Sequence, residues 1–250
     1  MYKKIGELVF WQSEHLNRRG VVHGFTLRSG GVSEGAFESL NIGQRRGDDM
    51  EKVRENISRA VGALGIEYGK LTVTLQEHTD NIVVLDEAHV GCGLTKVWNK
   101  SVDGIISALP GVPLMCYCAD CVPIILYSSS CAGVIHAGWR GSAKLIAQKA
   151  VRIMRDLGAK DIYALIGPSI RACCYEVGED VAAYFPADTL TKTASGKFML
   201  DLAAANKKQL IQGGAEVEDC NLCTSCNNDI FFSHRAQNGV SGNIGAIVML

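Results

Sequence analysis

The sequence predicts an α+β fold, because segments with strand character and segments with helical character occur in separate blocks along the chain. Between residues 71 and 135, short segments rich in Val and Ile are separated by turn residues, which is typical of β-strands. Apolar residues recur at helical spacing over residues 50–64 and 142–157, which predicts two amphipathic helices. Strands and helices do not alternate regularly, so the pattern favours α+β over a winding of βαβ units.

Three predicted strands, 112–117, 122–127 and 131–135, follow one another without room for helices between them. They must therefore be antiparallel neighbours or belong to two different sheets. The remaining predicted elements are strands at 71–76, 82–85, 105–106, 162–166 and 244–250, and helices at 179–185 and 202–212.

Other local signals concern the first half of the chain. Residues 23–49 are rich in Gly, Ser and Arg and predict a long ordered loop, and long loops inside a compact domain are often functional. Asp48 and Asp49 are both candidate N-caps for the helix at 50–64, since a carboxylate accepts hydrogen bonds from the first helical turn.

The composition excludes several classes of protein. With 47% apolar and 20% charged residues the chain has an ordinary globular composition, and we expect one domain over residues 1–250. A formal net charge of −1 without a long Lys/Arg run argues against nucleic acid as a partner. No apolar run has the length of a membrane span and no signal peptide is evident, so we expect a cytoplasmic protein. No obligate protein partner is indicated, so the expected partner is a small molecule.

Ten cysteines are present, and without a secretory signal we expect reduced thiols rather than disulfides. Three of them are spaced as Cys220-x-x-Cys223-x-x-Cys226, which also fits metal or iron–sulfur binding. A fourth ligand would have to come from Cys173 or Cys174. Buried thiols and metal ligands are the two remaining interpretations, and we expect most of the ten cysteines to be buried thiols.

Three residues at the ends of predicted strands are candidates for chemistry: His78, Cys121 and His136. Sheet proteins often place side chains that face a ligand at such positions. Two imidazoles and one thiolate are a set of three ligands, and catalytic zinc usually takes three protein ligands and leaves a fourth position open. Such an ion activates water or polarises a substrate oxygen. The irregular spacing is not a metal motif by itself, so spacing alone leaves open that the three residues are unrelated.

The chain also carries a series of motifs in the order of a known family. They include His23-Gly24-Phe25, Leu40-Asn41-Ile42-Gly43, Ala119-Asp120-Cys121-Val122-Pro123, His136-Ala137-Gly138-Trp139-Arg140-Gly141 and Phe232-Ser233-His234-Arg235. On these motifs the chain, over about residues 20 to 250, resembles the laccase-domain family. That family is also described as purine nucleoside phosphorylase/polyphenol oxidoreductase and, in bacteria, as a peptidoglycan-editing factor. Gly242-Asn243 departs from the Gly-Arg that often opens the family's last strand.

The resemblance implies a fold, a metal site and an activity. The fold is a layered α/β sandwich of mixed sheets flanked by helices, related to the deamidating-toxin (cysteine hydrolase-like) fold. The family's catalytic metal ligands fall on His78, Cys121 and His136, and the ion would be Zn²⁺, with Cu²⁺ as the alternative. The activity is phosphorolysis of adenosine, inosine and methylthioadenosine to the free base and (methylthio)ribose 1-phosphate, with adenosine deamination as a side activity.

Three residues near the family motifs are candidate substrate contacts. Arg28 and Arg140 lie beside glycines, and their guanidinium groups would bind a phosphate or carboxylate in a bidentate manner or pair with a structural Asp. Asn41 would position a ribose hydroxyl or a water, or close a turn. Asp120 would orient one of the histidine ligands or cap a turn.

Three other functions are alternatives to the phosphorylase. A metal-free cysteine hydrolase would use Cys121 as nucleophile and His136 as its base, but it leaves His78 unexplained. A copper-dependent polyphenol oxidase with four coppers needs more ligands than six histidines provide. A hydrolase that edits peptidoglycan precursors would use the same metal, and the sequence does not separate it from the phosphorylase.

Overall fold

The structure, a computed structural model, describes residues 1–250 and contains fifteen β-strands and six α-helices. The strands are β1 (Tyr2–Ile5), β2 (Leu8–Trp11), β3 (Val22–Thr26), β4 (Thr72–Val73), β5 (Ile82–Val84), β6 (Gly104–Ser107), β7 (Pro113–Cys118), β8 (Val122–Tyr127), β9 (Ala132–Ala137), β10 (Tyr163–Ile166), β11 (Glu176–Val177), β12 (Leu190–Lys192), β13 (Phe198–Leu200), β14 (Glu216–Asp219) and β15 (Ile244–Met249). The helices are α1 (Glu14–Arg18), α2 (Met50–Ala63), α3 (Trp139–Ala143), α4 (Ile146–Asp156), α5 (Glu179–Ala182) and α6 (Leu202–Gln212). None of the helices has the length and apolar character that a bilayer crossing requires.

The strands form two mixed sheets of six strands and one small antiparallel sheet. The first sheet has the order β1-β2-β3-β15-β7-β4, and only β4 is parallel to its neighbour. The second has the order β14-β10-β8-β9-β6-β5, with a parallel pair at each edge. The small sheet has the order β11-β13-β12. Both arrangements allowed for the three consecutive strands occur, since β7 lies in the first sheet while β8 and β9 pair antiparallel in the second.

Alternation of side chains along the central strands explains how the layers stack. In β7, Leu114 packs between the two sheets, whereas its neighbour Met115 packs on the other face against Ile57 of α2. In β8, Ile125 faces the first sheet and Ile124 faces the layer of α4 and α6. Successive strand residues point to opposite faces, so one strand contributes to two cores. The result is a helix–sheet–sheet–helix arrangement, and the predicted α+β class with several mixed sheets is confirmed.

The helix predicted over residues 142–157 is in fact two helices, α3 and α4. Between them Leu145 has a left-handed backbone with φ of +62°, which interrupts the helical hydrogen bonding. The end of α3 is bonded to α6, where Asn206 donates to Ser142 Oγ and Gln209 donates to the Ser142 carbonyl, both at 2.8 Å. No Gly or Pro marks this break, so the apolar periodicity did not reveal it.

The predicted strand at 71–76 is shorter in the structure, because only β4 forms backbone pairs with β7. Beyond it the Gln76 side chain replaces the backbone. Its Oε1 accepts from the Tyr117 N–H at 2.9 Å, and its Nε2 donates to the Tyr117 carbonyl at 2.7 Å. This amide thus anchors the start of the turn that carries His78.

Candidate metal centre

His78, Cys121 and His136 meet at one end of the second sheet. Cys121 directly precedes β8, and His136 lies in β9 opposite Pro123 of β8, so antiparallel pairing makes them neighbours. His78 reaches them from the turn after β4, and its Nε2 lies 3.6 Å from the Cys121 sulfur. The potential ligand atoms of the three side chains all lie within 4.8 Å of one another. The structure therefore brings together the three residues that the sequence marked as a ligand set.

The close approach of these side chains depends on unusual backbone at their turns. His78 has φ of +60° and Asp120, next to Cys121, has φ of +84°. A Cβ atom at Gly138 would lie 2.7 Å from His78 Cδ2, so only glycine allows the loop after β9 to pack here. Non-glycine residues with left-handed backbone are rare, and they cluster at functional sites.

The carboxylate of Asp103, a residue that the sequence did not single out, holds two of the three candidate ligands. It is fully buried, and its Oδ1 accepts from His136 Nδ1 at 2.8 Å and from the His78 N–H at 3.0 Å. Its Oδ2 accepts from the Thr79 N–H at 2.9 Å and from Thr79 Oγ1 at 2.7 Å. Because Nδ1 of His136 is occupied, Nε2 is the nitrogen available to an ion. The sequence signal that could have revealed Asp103 is a lone acidic residue directly before the apolar strand β6.

The thiol of Cys121 and the imidazole of His136 form an ion pair in the metal-free protein. Burial raises the pKa of Cys121, but His136 and His78 outweigh it and bring the pKa down to about 6. Burial lowers the pKa of His136, but Cys121 and Asp103 outweigh it and raise the pKa to about 10. Near pH 7 the pair therefore carries one proton, on the imidazole. Burial also opposes ionisation of Asp103, yet its bonds from His136 and Thr79 lower the pKa overall, so it is a carboxylate.

We expect zinc binding at this centre between pH 7 and 9 to release about one proton per ion, because the ion must displace the proton from His136. The affinity should then rise about tenfold per pH unit in this range. Calorimetric titration of metal-free protein in buffers of different ionisation enthalpy measures the proton count. His78→Asn, which removes a ligand from the centre, is the matched control. Binding with no proton release would contradict this charge state.

A cleft of about 570 Å³ opens over the centre, and four arginines contribute to its wall: Arg45, Arg46, Arg140 and Arg235. Three of them are engaged with protein groups. Arg45 pairs with Glu77 at 3.7 Å, Arg46 donates to the Ser241 carbonyl at 3.0 Å, and Arg235 donates to the Glu176 carbonyl at 3.2 Å.

Arg140 differs from the other three arginines. Its guanidinium lies over the ring of Trp139, 4.2 Å from the centroid, and donates to no protein group. The side chain is exposed in the first turn of α3, which follows β9, the strand that carries His136. A guanidinium placed over an aromatic ring, with all its N–H groups unused, is prepared to bind an anion.

The other two expected substrate contacts, Arg28 and Asn41, are not among the residues that line the cleft. Arg28 donates to the carbonyls of Glu38 and Asn228, each at 2.7 Å. Asn41 is fully buried, and its Oδ1 accepts from two backbone N–H groups while its Nδ2 donates to Asp48 at 2.8 Å. Both side chains close loops, which is the alternative role that the sequence left open for Asn41. Arg28 bonds backbone carbonyls, which is neither of the two roles considered for it, an anion contact or a pair with a structural Asp.

Asp120 does not contact the histidine ligands. Its Oδ1 accepts from Thr224 Oγ1 at 2.6 Å and from Ser233 Oγ at 2.7 Å, and its Oδ2 accepts from the Arg235 N–H at 2.6 Å. It thus fixes the C-terminal loops against the turn that presents Cys121.

Two imidazoles and one thiolate suit a single zinc or copper ion. The remaining histidines do not extend this set. His23 is buried between the Ser13 N–H and the Val21 carbonyl, His15 stacks on Tyr163, and His89 pairs with Asp86. His234 lines the cleft but contacts Arg46 through Nδ1. These placements do not provide the ligands that a group of several coppers requires.

The layered fold with its His–Cys–His centre defines a laccase-like protein. Residues 22–250 match the family described as multi-copper polyphenol oxidoreductase laccase, and the chain belongs to that family. It is 32% identical over 247 residues to a purine nucleoside phosphorylase of Bacteroides thetaiotaomicron, covering 92% of each chain. It is 35% identical to the purine nucleoside phosphorylase YlmD of Geobacillus stearothermophilus, covering 92% of this chain and 90% of that protein.

Two solved structures are similar to this chain over nearly its whole length. The hypothetical protein YfiH of Bacillus licheniformis superposes with a TM-score of 0.93 at 30% identity, covering 100% of this chain and 98% of that one. YlmD of Geobacillus stearothermophilus superposes with a TM-score of 0.88 at 32% identity, covering 99% and 97%. The similarity to the relatives named as phosphorylases therefore covers nearly the whole chain.

Proposed function

We propose that the protein is a zinc-dependent purine nucleoside phosphorylase that cleaves adenosine, inosine and methylthioadenosine to the free base and (methylthio)ribose 1-phosphate. The observation that carries the proposal is the unpaired guanidinium of Arg140 in the same cleft as His78, Cys121 and His136. A cleft of about 570 Å³ is within the usual range for small-molecule sites. The similarity to proteins named purine nucleoside phosphorylase supports the substrate class.

Each residue of the centre has a role in this proposal. His78, Cys121 and His136 would hold the ion, and Asp103 fixes the His136 ring with Nε2 towards it. When bound, the ion supplies Lewis-acid chemistry. Arg140 would bind phosphate through two parallel N–H groups and hold it close to the ribose.

The cleft also offers surfaces for a purine. Trp139 and Tyr175 both line it, and aromatic faces stack on flat bases. Arg45, Arg46 and Arg235 add positive charge to the wall, which favours an anionic second substrate. Adenosine deamination, which we propose as a side activity, uses water in place of phosphate and does not need Arg140.

Arg140→Ala should raise the apparent KM for phosphate in inosine cleavage by roughly ten- to a hundredfold, since a charge-assisted hydrogen bond contributes about 1.5–3 kcal/mol. Adenosine deamination should change much less. Steady-state kinetics with phosphate varied measures the effect, and Arg152→Ala, which removes an exposed arginine from α4, is the matched control.

Product analysis with and without phosphate tests the phosphorylase itself. Inosine should yield ribose 1-phosphate, and cleavage should stop when phosphate is removed. Free ribose under both conditions, with no ribose 1-phosphate, would refute phosphorolysis and favour hydrolysis at the same centre.

A second candidate function is supported by the arrangement of Cys121, His136 and Asp103. The carboxylate orients the imidazole, and the imidazole stabilises the thiolate, as in cysteine hydrolases with a nucleophile, a base and an orienting group. In a metal-free hydrolase His78 would have no catalytic role. The relation of the fold to deamidating toxins would agree with this alternative and stays a prediction from the resemblance.

We also propose that residues 1–250 form one domain. Strands from both ends of the chain, β1–β3 and β15, share the first sheet, and β15 packs on β8 and β9 of the second. A single cooperative unfolding transition would support this unit.

A further inference from the structure

Four cysteines from two distant loops meet at the surface: Cys173, Cys174, Cys223 and Cys226. Their sulfur atoms all lie within 4.8 Å of one another. The Cys226 sulfur lies 3.5 Å from that of Cys173 and 3.4 Å from that of Cys174. Cys173 and Cys226 are exposed, so these two are not among the buried thiols expected for most of the cysteines. Cys220, the first member of the predicted triplet, lies outside the group.

We propose that these four cysteines bind a second zinc ion in a closed, structural site. Zn–S bonds of about 2.3 Å in a tetrahedron separate neighbouring sulfurs by about 3.8 Å. The observed separations of 3.4 and 3.5 Å, with an upper limit of 4.8 Å, bracket that value. The Cys223-x-x-Cys226 spacing is also typical of structural zinc sites.

The same distances argue against the other chemistries of a four-cysteine group. A disulfide requires about 2.05 Å between sulfurs, and all ten cysteines are free thiols in this structure. An iron–sulfur cluster places several irons and sulfides between its thiolates and so holds the four thiolates further apart than a single ion does. The compact group favours one metal ion.

The backbone around the group is already arranged for an ion. Cys223 forms an isolated parallel bridge with Ser169, which ties the two loops together just before the cysteines converge. The Cys223 carbonyl accepts from the N–H of Asn227 at 3.1 Å and from its Nδ2 at 2.7 Å. These bonds close a tight turn that brings Cys223 and Cys226 to the same side.

The position of the site explains what it would do. Cys174 precedes Tyr175, which lines the cleft, and Cys223 precedes Thr224, which donates to Asp120 beside Cys121. An ion held by all four thiolates has no open coordination position, so it would not react with substrate. It would instead clamp the loop that leads to Tyr175 in the cleft wall to the loop of Thr224, which supports Asp120.

Metal analysis of untagged protein, purified anaerobically from zinc-supplemented cells, tests the proposal. Wild type should contain about two zinc ions per chain, and Cys226→Ser and Cys121→Ser about one each. Cys220→Ser, which removes a thiol of the same motif outside the group, should keep two. Cobalt-substituted Cys121→Ser should retain the absorption of tetrahedral thiolate coordination, whereas the double variant Cys121→Ser/Cys226→Ser should lose it.

Thermal unfolding gives a second readout that does not depend on nucleoside cleavage. Cys226→Ser should lower the midpoint by roughly 5 °C or more, with little change in Cys220→Ser. If Cys226→Ser is insoluble, Cys173→Ser, also at an exposed position, replaces it. A soluble variant that keeps the full zinc content of wild type would overturn the proposal. So would iron in place of zinc, or a disulfide among the four cysteines in fresh protein. None of these outcomes bears on the ion at His78.

Discussion

Cys121→Ser is expected to remove the ion held with His78 and His136 and to lower kcat/KM for inosine phosphorolysis at least about a thousandfold. The serine hydroxyl is not ionised near neutral pH and is a poor zinc ligand, whereas the Cys121 thiol has a pKa of about 6. The protein should stay folded, because Cys121 is only half-buried and the two side chains have similar shapes. Zinc content, circular dichroism and steady-state kinetics measure these effects.

Loss of activity in Cys121→Ser alone does not separate zinc chemistry from a cysteine hydrolase, so His78 supplies the comparison. His78→Asn should release the ion and abolish activity if zinc is required, and should leave a metal-free hydrolase largely active. Asn tolerates the left-handed backbone of this position, which keeps the turn intact. Chelator-treated wild type that is fully active and free of zinc at this centre would refute the zinc mechanism.

Asp103→Asn is expected to lower the zinc affinity of the centre by about ten- to a hundredfold, since partners that orient histidine ligands contribute that much. Both carboxylate oxygens of Asp103 accept hydrogen bonds from N–H or O–H groups. In Asp103→Asn, the N–H₂ that replaces one oxygen would therefore face another donor. The fold should also lose about 1–3 kcal/mol of its free energy of unfolding, the cost of a buried group left unsatisfied.

Competition with a zinc indicator and denaturant unfolding measure the two effects of Asp103→Asn. Asp80→Asn is the matched control, because Asp80 lies on the turn that carries His78 but pairs with Lys149 and Lys144 rather than with the ligands. Equal zinc affinity in wild type and Asp103→Asn would show that the carboxylate does not act through His136.

Local sequence signals located the elements with strong periodicity or a clear cap. The helix predicted over residues 50–64 begins after its Asp49 cap and ends one residue early, as α2. The first strand was not predicted, because β1 reads Tyr-Lys-Lys-Ile at an exposed sheet edge and shows no apolar alternation. The strand β3 was not predicted for a different reason. It overlaps the start of residues 23–49, whose Gly and Ser content is typical of a loop.

For the site, the sequence alone suggested strand-end ligands, and the resemblance selected the set that the structure brings together. The roles of Arg28 and Asn41 were beyond local prediction. Their partners Asn228 and the Asn243 N–H lie some two hundred residues away in the chain. Asp103 was missed because its function depends on His136, which reaches it only through the pairing of β6 with β9.

The central place of β15 in the first sheet has a consequence for how the protein folds. β15 pairs with β3 on one side and β7 on the other, so that Phe25 of β3 lies opposite Ala246. Bringing such distant segments together requires closing a very long loop, and proteins dominated by non-local pairings fold slowly. Asn243, which lines the cleft, directly precedes β15. We therefore expect the second sheet and its helices to assemble early and the cleft to mature only in the last, slow step of folding.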